Sequence, residues 1–266
     1  MSELLLSFDI EEFDVPLENG IDIPFAEQMR RSVEGTEKIL DMLKRNGAVA
    51  TLFCTANFAK SAPDIIKRAV EEGHEIASHG FYHSQFEDAD LLRSKELLEE
   101  ISGTEVSGFR MARMMPVSAE EIRKAGYVYN SSLNPTIIPG RYNNLSEPRL
   151  WFNDNGLIQL PTGVTPKLRF PLFWLALHNL PLFVYNRLLA KTLKHDGYTV
   201  IYFHPWEFTD LKSVKRKYRL SPLMTNRSGD NMVRRLEEVI KYQKHKGAGF
   251  STISDFLRTA APSAKP

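Results

Sequence analysis

Two histidines, His79 and His83, stand four residues apart in the segment Gly73-His-Glu-Ile-Ala-Ser-His79-Gly-Phe-Tyr-His83. Side chains at positions i and i+4 lie on one face of a helical turn, so two imidazoles at this spacing can bind the same ion. The spacing alone suits a pair on a solvated surface equally well. Its position directly after a predicted strand favours a metal site.

A group of carboxylates follows the first apolar segment, residues 3–8, and offers a third metal ligand. The group consists of Asp9, Glu11, Glu12 and Asp14. A catalytic zinc site usually has three protein ligands and leaves one position for water. Asp9 and Glu11 are two residues apart and face the same side of an extended chain, so one can bind the ion while the other transfers protons. A solvated acidic loop is the alternative.

Arg110 and His204 also follow predicted strands. In parallel α/β folds the chemistry lies at the carboxyl ends of the strands. The carboxylates, the histidine pair, Arg110 and His204 are therefore all predicted at one end of the fold. His74 begins its strand, so we expect it to point to the other end and to be structural.

The elements that must position these residues alternate between strands and helices, which predicts a parallel sheet. The predicted strands are residues 3–8, 49–54, 75–77, 106–109, 127–129, 157–160, 198–203 and 249–251. The predicted helices are residues 27–46, 61–73, 89–102, 118–124, 182–194 and 230–246. Seven or eight such units favour an α/β barrel over an open sheet. Residues 130–151, rich in Asn, Pro and Ser, are predicted to form a long loop at the barrel rim.

Length and composition fit one large domain. The chain has 266 residues, of which 42% are hydrophobic and 25% charged, near the values of ordinary globular proteins. We expect a single barrel domain over residues 1–258 and a flexible tail over 259–266. The formal net charge of +1 gives no overall field that would attract nucleic acid, so no nucleic-acid partner is expected. The single cysteine, Cys54, and the lack of a basic leader before the first carboxylates favour a cytoplasmic protein.

Residues 170–190 (FPLFWLALHNLPLFVYNRLLA) are nearly long enough to cross a bilayer. Pro171, His178, Asn179 and Arg187 interrupt the apolar run, and the polar ones would be costly inside a membrane. The sequence therefore predicts a buried barrel helix with its preceding loop. A surface facing a membrane or a lipid tail and a transmembrane span are the alternatives.

Several motifs occur together and in a fixed order: Phe8-Asp9, the histidine segment 73–83, Gly108-Phe-Arg110, the segment 125–132, and Tyr202-Phe-His204-Pro-Trp206-Glu207. With these motifs the chain resembles the polysaccharide deacetylases of the NodB-homology type, a carbohydrate esterase family 4-like group, from about residue 4 to 257. It is most similar to the subgroup with a His-Pro-Trp-Glu motif that occurs in bacterial exopolysaccharide and O-antigen gene clusters. The resemblance implies a distorted (β/α)7-type barrel, which agrees with the alternation of elements.

The resemblance also implies a role for individual residues. Asp9 matches the general base and Arg110 the arginine that holds it. His79 and His83 match two ligands of a divalent metal, for which zinc is expected. His204 matches the general acid.

Two segments depart from the family pattern. The usual first motif has two adjacent aspartates, the second of which binds the metal, and here Ile10 occupies that place. Glu11 is therefore the expected ligand, with Glu12 or Asp14 left open. The third motif continues after Arg110 as Met-Ala-Arg113-Met-Met-Pro, which leaves the backbone amide that would bind the oxyanion unidentified.

The implied activity is that of a metal-dependent N-deacetylase, a hydrolase that releases acetate from an N-acetylated sugar in surface polysaccharide or O-antigen biosynthesis. Two alternatives remain. One is an amidohydrolase of the same fold that acts on a small cyclic amide or ureide. The other is a non-catalytic saccharide-binding barrel without a metal, which the departure at Ile10 suggests.

Trp206, Trp151 and Tyr142 are candidate platforms for sugar rings, although core packing is the commoner role of such residues. Residues 212–219 (KSVKRKYR) have five cations in eight positions. They suit a solvated loop, or a contact with the phosphate of a lipid-linked or nucleotide-linked saccharide. With residues 170–190, the second interpretation would place the protein at the periphery of the inner membrane.

Overall fold

A curled sheet of mainly parallel strands forms the centre of the computed structural model, which describes residues 2–260. The strands are β1 (Ser2–Ile10), β2 (Thr51–Cys54), β3 (Glu75–Ser78), β4 (Gly108–Phe109), β5 (Tyr129–Asn130), β6 (Ile137–Ile138), β7 (Tyr142–Asn143), β8 (Phe152–Asp154), β9 (Leu157–Gln159), β10 (Tyr198–Phe203) and β11 (Ala248–Gly249). Seven of them pair in parallel in the order β10-β1-β2-β3-β4-β5-β9. β8 extends the sheet antiparallel to β9, β11 pairs with the start of β1, and β6 and β7 form a separate hairpin.

Helices alternate with these strands along the chain. They are α1 (Val15–Glu18), α2 (Phe25–Arg45), α3 (Ala56–Ser61), α4 (Pro63–Glu71), α5 (Ala89–Ser102), α6 (Ala119–Lys124), α7 (Trp174–Asn179), α8 (Leu182–Asp196), α9 (Pro222–Thr225), α10 (Asp230–His245) and α11 (Ile253–Ala260), with 3-10 turns at Ala112–Met114 and Pro205–Phe208. Residues of α2, α4, α5, α8 and α10 share one large apolar core with the outward-facing residues of the sheet. The predicted (β/α)7-type barrel is thereby confirmed.

Strand β1 packs against the helices with one face and directs polar side chains into the barrel with the other. It is buried from Leu4 to Ile10, as expected of a central strand covered on both faces. Its even-numbered residues belong to the large core under the helices. Successive side chains in a strand point to opposite faces, so Ser7 and Asp9 point into the barrel.

A close backbone contact completes the barrel between β9 and β10. The amide of Gly163, beyond the end of β9, donates to the carbonyl of Val200 in β10 at 2.7 Å. A Cβ at position 163 would lie 2.8 Å from that oxygen, so this approach requires glycine. The barrel is distorted here because a single contact takes the place of a strand pair.

Helix α11 closes the amino-terminal end of the barrel. The amide of Ile253 donates to Thr51 at the start of β2, and Phe256 packs on Tyr198 at the start of β10. The sequence did not predict this helix, and it includes two residues of the predicted tail, 259 and 260. The remainder of that tail, 261–266, lies outside the described residues.

The apolar stretch 170–190 forms two helices, α7 and the first part of α8. The break falls at Leu180 and Pro181, since proline cannot continue the preceding helix. Within residues 2–260, no helix combines the length and the apolar character needed to span a membrane.

Candidate metal centre and active site

A cavity of about 580 Å³ opens at the carboxyl ends of the parallel strands. Its wall includes Asp9 from β1, Glu11 just beyond β1, His79 and His83 beyond β3, and His204 beyond β10. The structure thus brings together the polar residues that the sequence predicted at one end of the barrel.

Glu11, His79 and His83 converge at the base of this cavity. Oε2 of Glu11 lies 3.3 Å from Nε2 of His79 and 3.0 Å from Nε2 of His83. One ligand atom from each residue lies within 4.8 Å of the others. Two imidazoles and a carboxylate are the donor set of a common class of catalytic zinc sites.

A contact made by Nδ1, the ring nitrogen farther from Glu11, orients each imidazole. Nδ1 of His79 lies 2.8 Å from the carbonyl oxygen of Arg110, and Nδ1 of His83 lies 2.8 Å from Oδ1 of Asp14. A carbonyl or carboxylate oxygen accepts a hydrogen bond, so each Nδ1 carries the proton and each Nε2 presents its lone pair in the neutral ring. Such outer contacts are typical of metal-binding histidines.

Unpartnered atoms indicate that these residues fit a cation. Among the described residues, Oε2 of Glu11 and Nε2 of His79 are buried without a hydrogen-bond partner. Burial lowers the pKa of His83, but the carboxylates of Glu11 and Asp14 together raise it to about 10. Burial also raises the pKa of Glu11, yet His83 and His79 bring it well below its usual value. The cluster therefore favours positive charge, which a bound cation would supply.

The histidine pair reaches this geometry from a loop, so the predicted helical turn is wrong. Residues 79–84 contain no helical turn, and Gly80 has a φ of 82°, in the left-handed region that favours glycine. The first amides of α3, those of Ala56 and Asn57, donate to the carbonyls of Gly80 and Phe81 at 3.0 Å. The loop is thus held by the amino-terminal end of a neighbouring helix.

Of the carboxylates that the sequence left open as ligands, only Glu11 faces both histidines. Glu12 turns away and accepts hydrogen bonds from Thr55 and Asn57. Asp14 lies behind His83 and also forms an ion pair with Arg113 at 3.3 Å.

Asp9 is fixed by a fully buried arginine. Nη1 of Arg110 lies 2.7 Å from Oδ1 of Asp9 and donates to Ser7 at 3.0 Å. The rest of the guanidinium donates to the carbonyl and the hydroxyl of Ser131. The other carboxylate oxygen of Asp9, Oδ2, lies 3.9 Å from Nε2 of His204.

His204 belongs to a buried hydrogen-bonded chain that the sequence did not predict. Its Nδ1 lies 2.9 Å from Oε1 of Glu207, whose Oε2 lies 3.0 Å from Nε2 of His178 in α7. His178 and Glu207 have no exposed side-chain surface. Burial lowers the pKa of His204, but Glu207, Glu11 and Asp9 raise it above its usual value. The i, i+3 spacing of His204 and Glu207 could have indicated their contact, whereas nothing local indicated His178.

The three aromatic residues that the sequence suggested as sugar platforms lie in two different parts of the barrel. Trp206 and Tyr142 line the cavity, where Trp206 stacks on His204 with a centroid distance of 4.7 Å and donates to Glu11 at 3.2 Å. The structure does not bring Trp151 to this cavity. Its backbone amide donates to Tyr198, at the amino-terminal end of β10. Trp174, which the sequence did not single out, lies in the cavity wall with its ring edge-on to His204.

Comparison with known proteins gives a family match. Residues 22–129 match the family model described as polysaccharide deacetylase. A segment of 48 residues, 18% of the chain, is 46% identical to the peptidoglycan-N-acetylmuramic acid deacetylase PdaA of Bacillus subtilis. That segment is also only 18% of the length of PdaA, and the chain spans between 17% and 37% of other curated deacetylases that it matches.

Solved structures share the whole fold at low sequence identity. A putative polysaccharide deacetylase from Mycobacterium smegmatis is 18% identical, with a TM-score of 0.68 over 99% of this chain and 91% of that one. A structure described as Puue allantoinase is also 18% identical, with a TM-score of 0.64 over 96% of this chain and 89% of that one. At these identities the similarity establishes the barrel fold alone.

Proposed function

Because the chain belongs to the polysaccharide deacetylase family, we propose that it is a metal-dependent N-deacetylase that hydrolyses the acetamide of an N-acetylated sugar and releases acetate. One observation carries the proposal. Glu11, His79 and His83 converge beside the Asp9–Arg110 pair and His204 in a single cavity. A metal site, a base and an acid are the groups that metal-dependent hydrolysis of an amide uses.

Glu11, His79 and His83 are the proposed metal ligands. When bound, a divalent ion such as zinc supplies Lewis-acid activation of water and of the amide carbonyl. Zinc is the preferred candidate because its catalytic sites combine histidine and glutamate ligands with one open position. Trp206 supports the ligand set, since its indole N–H holds the other carboxylate oxygen of Glu11.

Asp9 is the proposed general base. Arg110 holds its Oδ1, so Oδ2 faces the cavity and can accept a proton from the attacking water. The guanidinium also keeps the carboxylate in a single orientation, which limits the reorganisation needed during the reaction.

His204 is the proposed general acid that protonates the departing amine. Glu207 accepts from its Nδ1, so the proton to be transferred is the one on Nε2, on the side of Asp9. The raised pKa of His204 favours its protonated form near neutral pH. His178 donates to the second oxygen of Glu207 and thereby fixes that carboxylate.

The proposed substrate is an N-acetylated saccharide used in surface polysaccharide or O-antigen assembly. The names of curated relatives describe deacetylases of amino sugars in peptidoglycan. The cavity volume of about 580 Å³ lies within the usual range of small-molecule sites, so the cavity has room for a sugar unit. Tyr142 and Trp174 offer partly exposed rings for sugar contacts. Linkage of the substrate to a lipid or a nucleotide, a cytoplasmic location and contact with a membrane remain predictions.

The test compares two products made by the zinc-loaded protein. We expect acetate from N-acetylated chito-oligosaccharides and no ring opening of allantoin or related cyclic ureides. Ring opening without acetate release would support the amidohydrolase alternative. If the zinc-loaded protein binds the saccharide but forms neither product, the chain is a binding protein.

A further inference from the structure

The charged residues at the mouth of the cavity do not balance. Asp9 pairs with Arg110, Glu11 faces the two histidines, and Glu18 pairs with Arg113 at the rim. Two further arginines, Arg141 and Arg219, line the same cavity. Within the described part of the chain, neither guanidinium has a carboxylate or hydrogen-bond partner. The mouth therefore has two uncompensated positive charges in a chain whose net charge is only +1.

Arg141 is directed toward the cavity by the β6–β7 hairpin. Next to it, Tyr142 receives a hydrogen bond from Asn134 that fixes the strand after the turn. Arg141 lines the cavity together with Tyr142 and Tyr202. Its guanidinium is therefore available to a ligand that enters the cavity.

Arg219 enters from the loop between the Pro205–Phe208 turn and α9. The side-chain amide of Asn19 donates to the carbonyls of Tyr218 and Arg219, at 3.1 and 3.4 Å, and fastens this backbone. Arg219 has a φ of 50°, a conformation that costs energy in a residue other than glycine and is common at functional sites. Of the five cations in residues 212–219, Arg219 alone lies among the residues that line the cavity.

We propose that Arg141 and Arg219 form a subsite for an anionic oxygen group, so that the substrate is an N-acetylated saccharide carrying a phosphate or a carboxylate. This inference rests on the proposed deacetylase function and specifies its substrate. Guanidinium groups bind phosphate and carboxylate through paired, charge-assisted hydrogen bonds. The two arginines reach the same cavity from separate loops, so an anionic group bound by them would orient the saccharide relative to the metal ligands and Asp9.

The test compares kcat/KM for acetate release from three N-acetylated substrates: neutral diacetylchitobiose, N-acetylglucosamine 1-phosphate and N-acetylmuramic acid. We expect at least one anionic substrate to exceed the neutral one by about tenfold or more, since each charge-assisted contact contributes substantially to binding. The two anionic substrates distinguish phosphate from carboxylate. In the R141Q/R219Q double variant the ratio of anionic to neutral kcat/KM should fall about tenfold or more. The R216Q variant, a matched control in the same loop, should keep the wild-type ratio.

Equal use of neutral and anionic substrates, or an unchanged ratio in the double variant, would overturn the proposal. If no substrate yields acetate, the deacetylase function fails, and calorimetric binding of the same three saccharides then decides whether the subsite exists. Tighter anion binding that is lost in R141Q/R219Q and retained in R216Q would support it. Equal affinities would refute it.

Discussion

At the scale of residues, Arg110 connects the proposed base with the proposed metal ligands. Its guanidinium holds Asp9 at 2.7 Å, and its backbone carbonyl accepts from Nδ1 of His79 at 2.8 Å. Glu207 accepts a hydrogen bond from Nδ1 of His204, and Asp14 accepts one from Nδ1 of His83. Each side chain with a proposed chemical role is therefore oriented by a buried partner, which reduces the reorganisation that the reaction requires.

Asp9→Asn should separate catalysis from metal binding. The amide keeps the size of the side chain but cannot accept the proton of water, so we expect kcat to fall by about 10²–10⁴-fold. Bound zinc, measured by elemental analysis, should stay at one ion per chain. Asp22→Asn, at an exposed carboxylate outside the cavity, is the control. Near-native turnover by Asp9→Asn would show that the base has been assigned wrongly.

Glu207→Gln should move the pH dependence of the rate. An acid must be protonated to act, so activity is lost as the pH rises through the pKa of His204. Glu207 helps to raise that pKa against the effect of burial. Removing the charge of Glu207 should shift the alkaline limb of the kcat/KM profile to lower pH. His195 is an exposed histidine on α8, and the control variant His195→Gln should leave that limb in place. An unchanged limb in Glu207→Gln would exclude His204 as the group that it reports.

At the scale of elements, helix α2 supports the turn Pro205–Phe208 that follows His204. The two elements touch at Gly35, where an added Cβ would overlap the backbone carbonyl of Pro205. The position of His204 therefore depends on a small residue in a helix that contributes nothing to the cavity wall.

Gly35→Ala should destabilise the protein and slow the reaction. Alanine in a helix interior normally gains about 0.5–1 kcal/mol over glycine, but overpacking a rigid contact costs about 1–3 kcal/mol. We expect a net loss of about 1–2 kcal/mol in the free energy of unfolding in urea, together with a lower kcat. Glu37→Ala, on the exposed face of α2, should stay within about 0.5 kcal/mol of wild type. A Gly35→Ala variant as stable and active as wild type would contradict this account of the contact.

Local pattern predicted the bounds of elements that have a glycine at one end. Helix α5, which is followed by Gly103, and strand β10, which is preceded by Gly197, have the predicted bounds, and the residues after β1, β3 and β10 do meet in one cavity. The sequence could not predict contacts made between distant segments. The loop geometry of His79 and His83, the pairing of His178 with Glu207 and the placement of Trp151 all depend on such contacts.

At the scale of the whole molecule, one end of the barrel is closed and the opposite end carries the proposed active site. Helix α11 covers the amino-terminal end, where Glu75 and Thr51 bind its first turn. The carboxyl end stays open and gathers residues from β1, β3, β4 and β10 that lie up to 195 positions apart, as Asp9 and His204 do. The parallel strands thus bring distant residues to a single site.

The central claim is that Glu11, His79 and His83 bind the ion on which acetate release depends. The most direct measurement is the rate of acetate release from an N-acetylated saccharide as zinc is added stepwise to metal-free protein. We expect the rate to rise linearly and to level off at one zinc per chain, and the His79→Ala variant to stay inactive throughout. Full activity before zinc is added, or a His79→Ala titration that matches wild type, would contradict the claim.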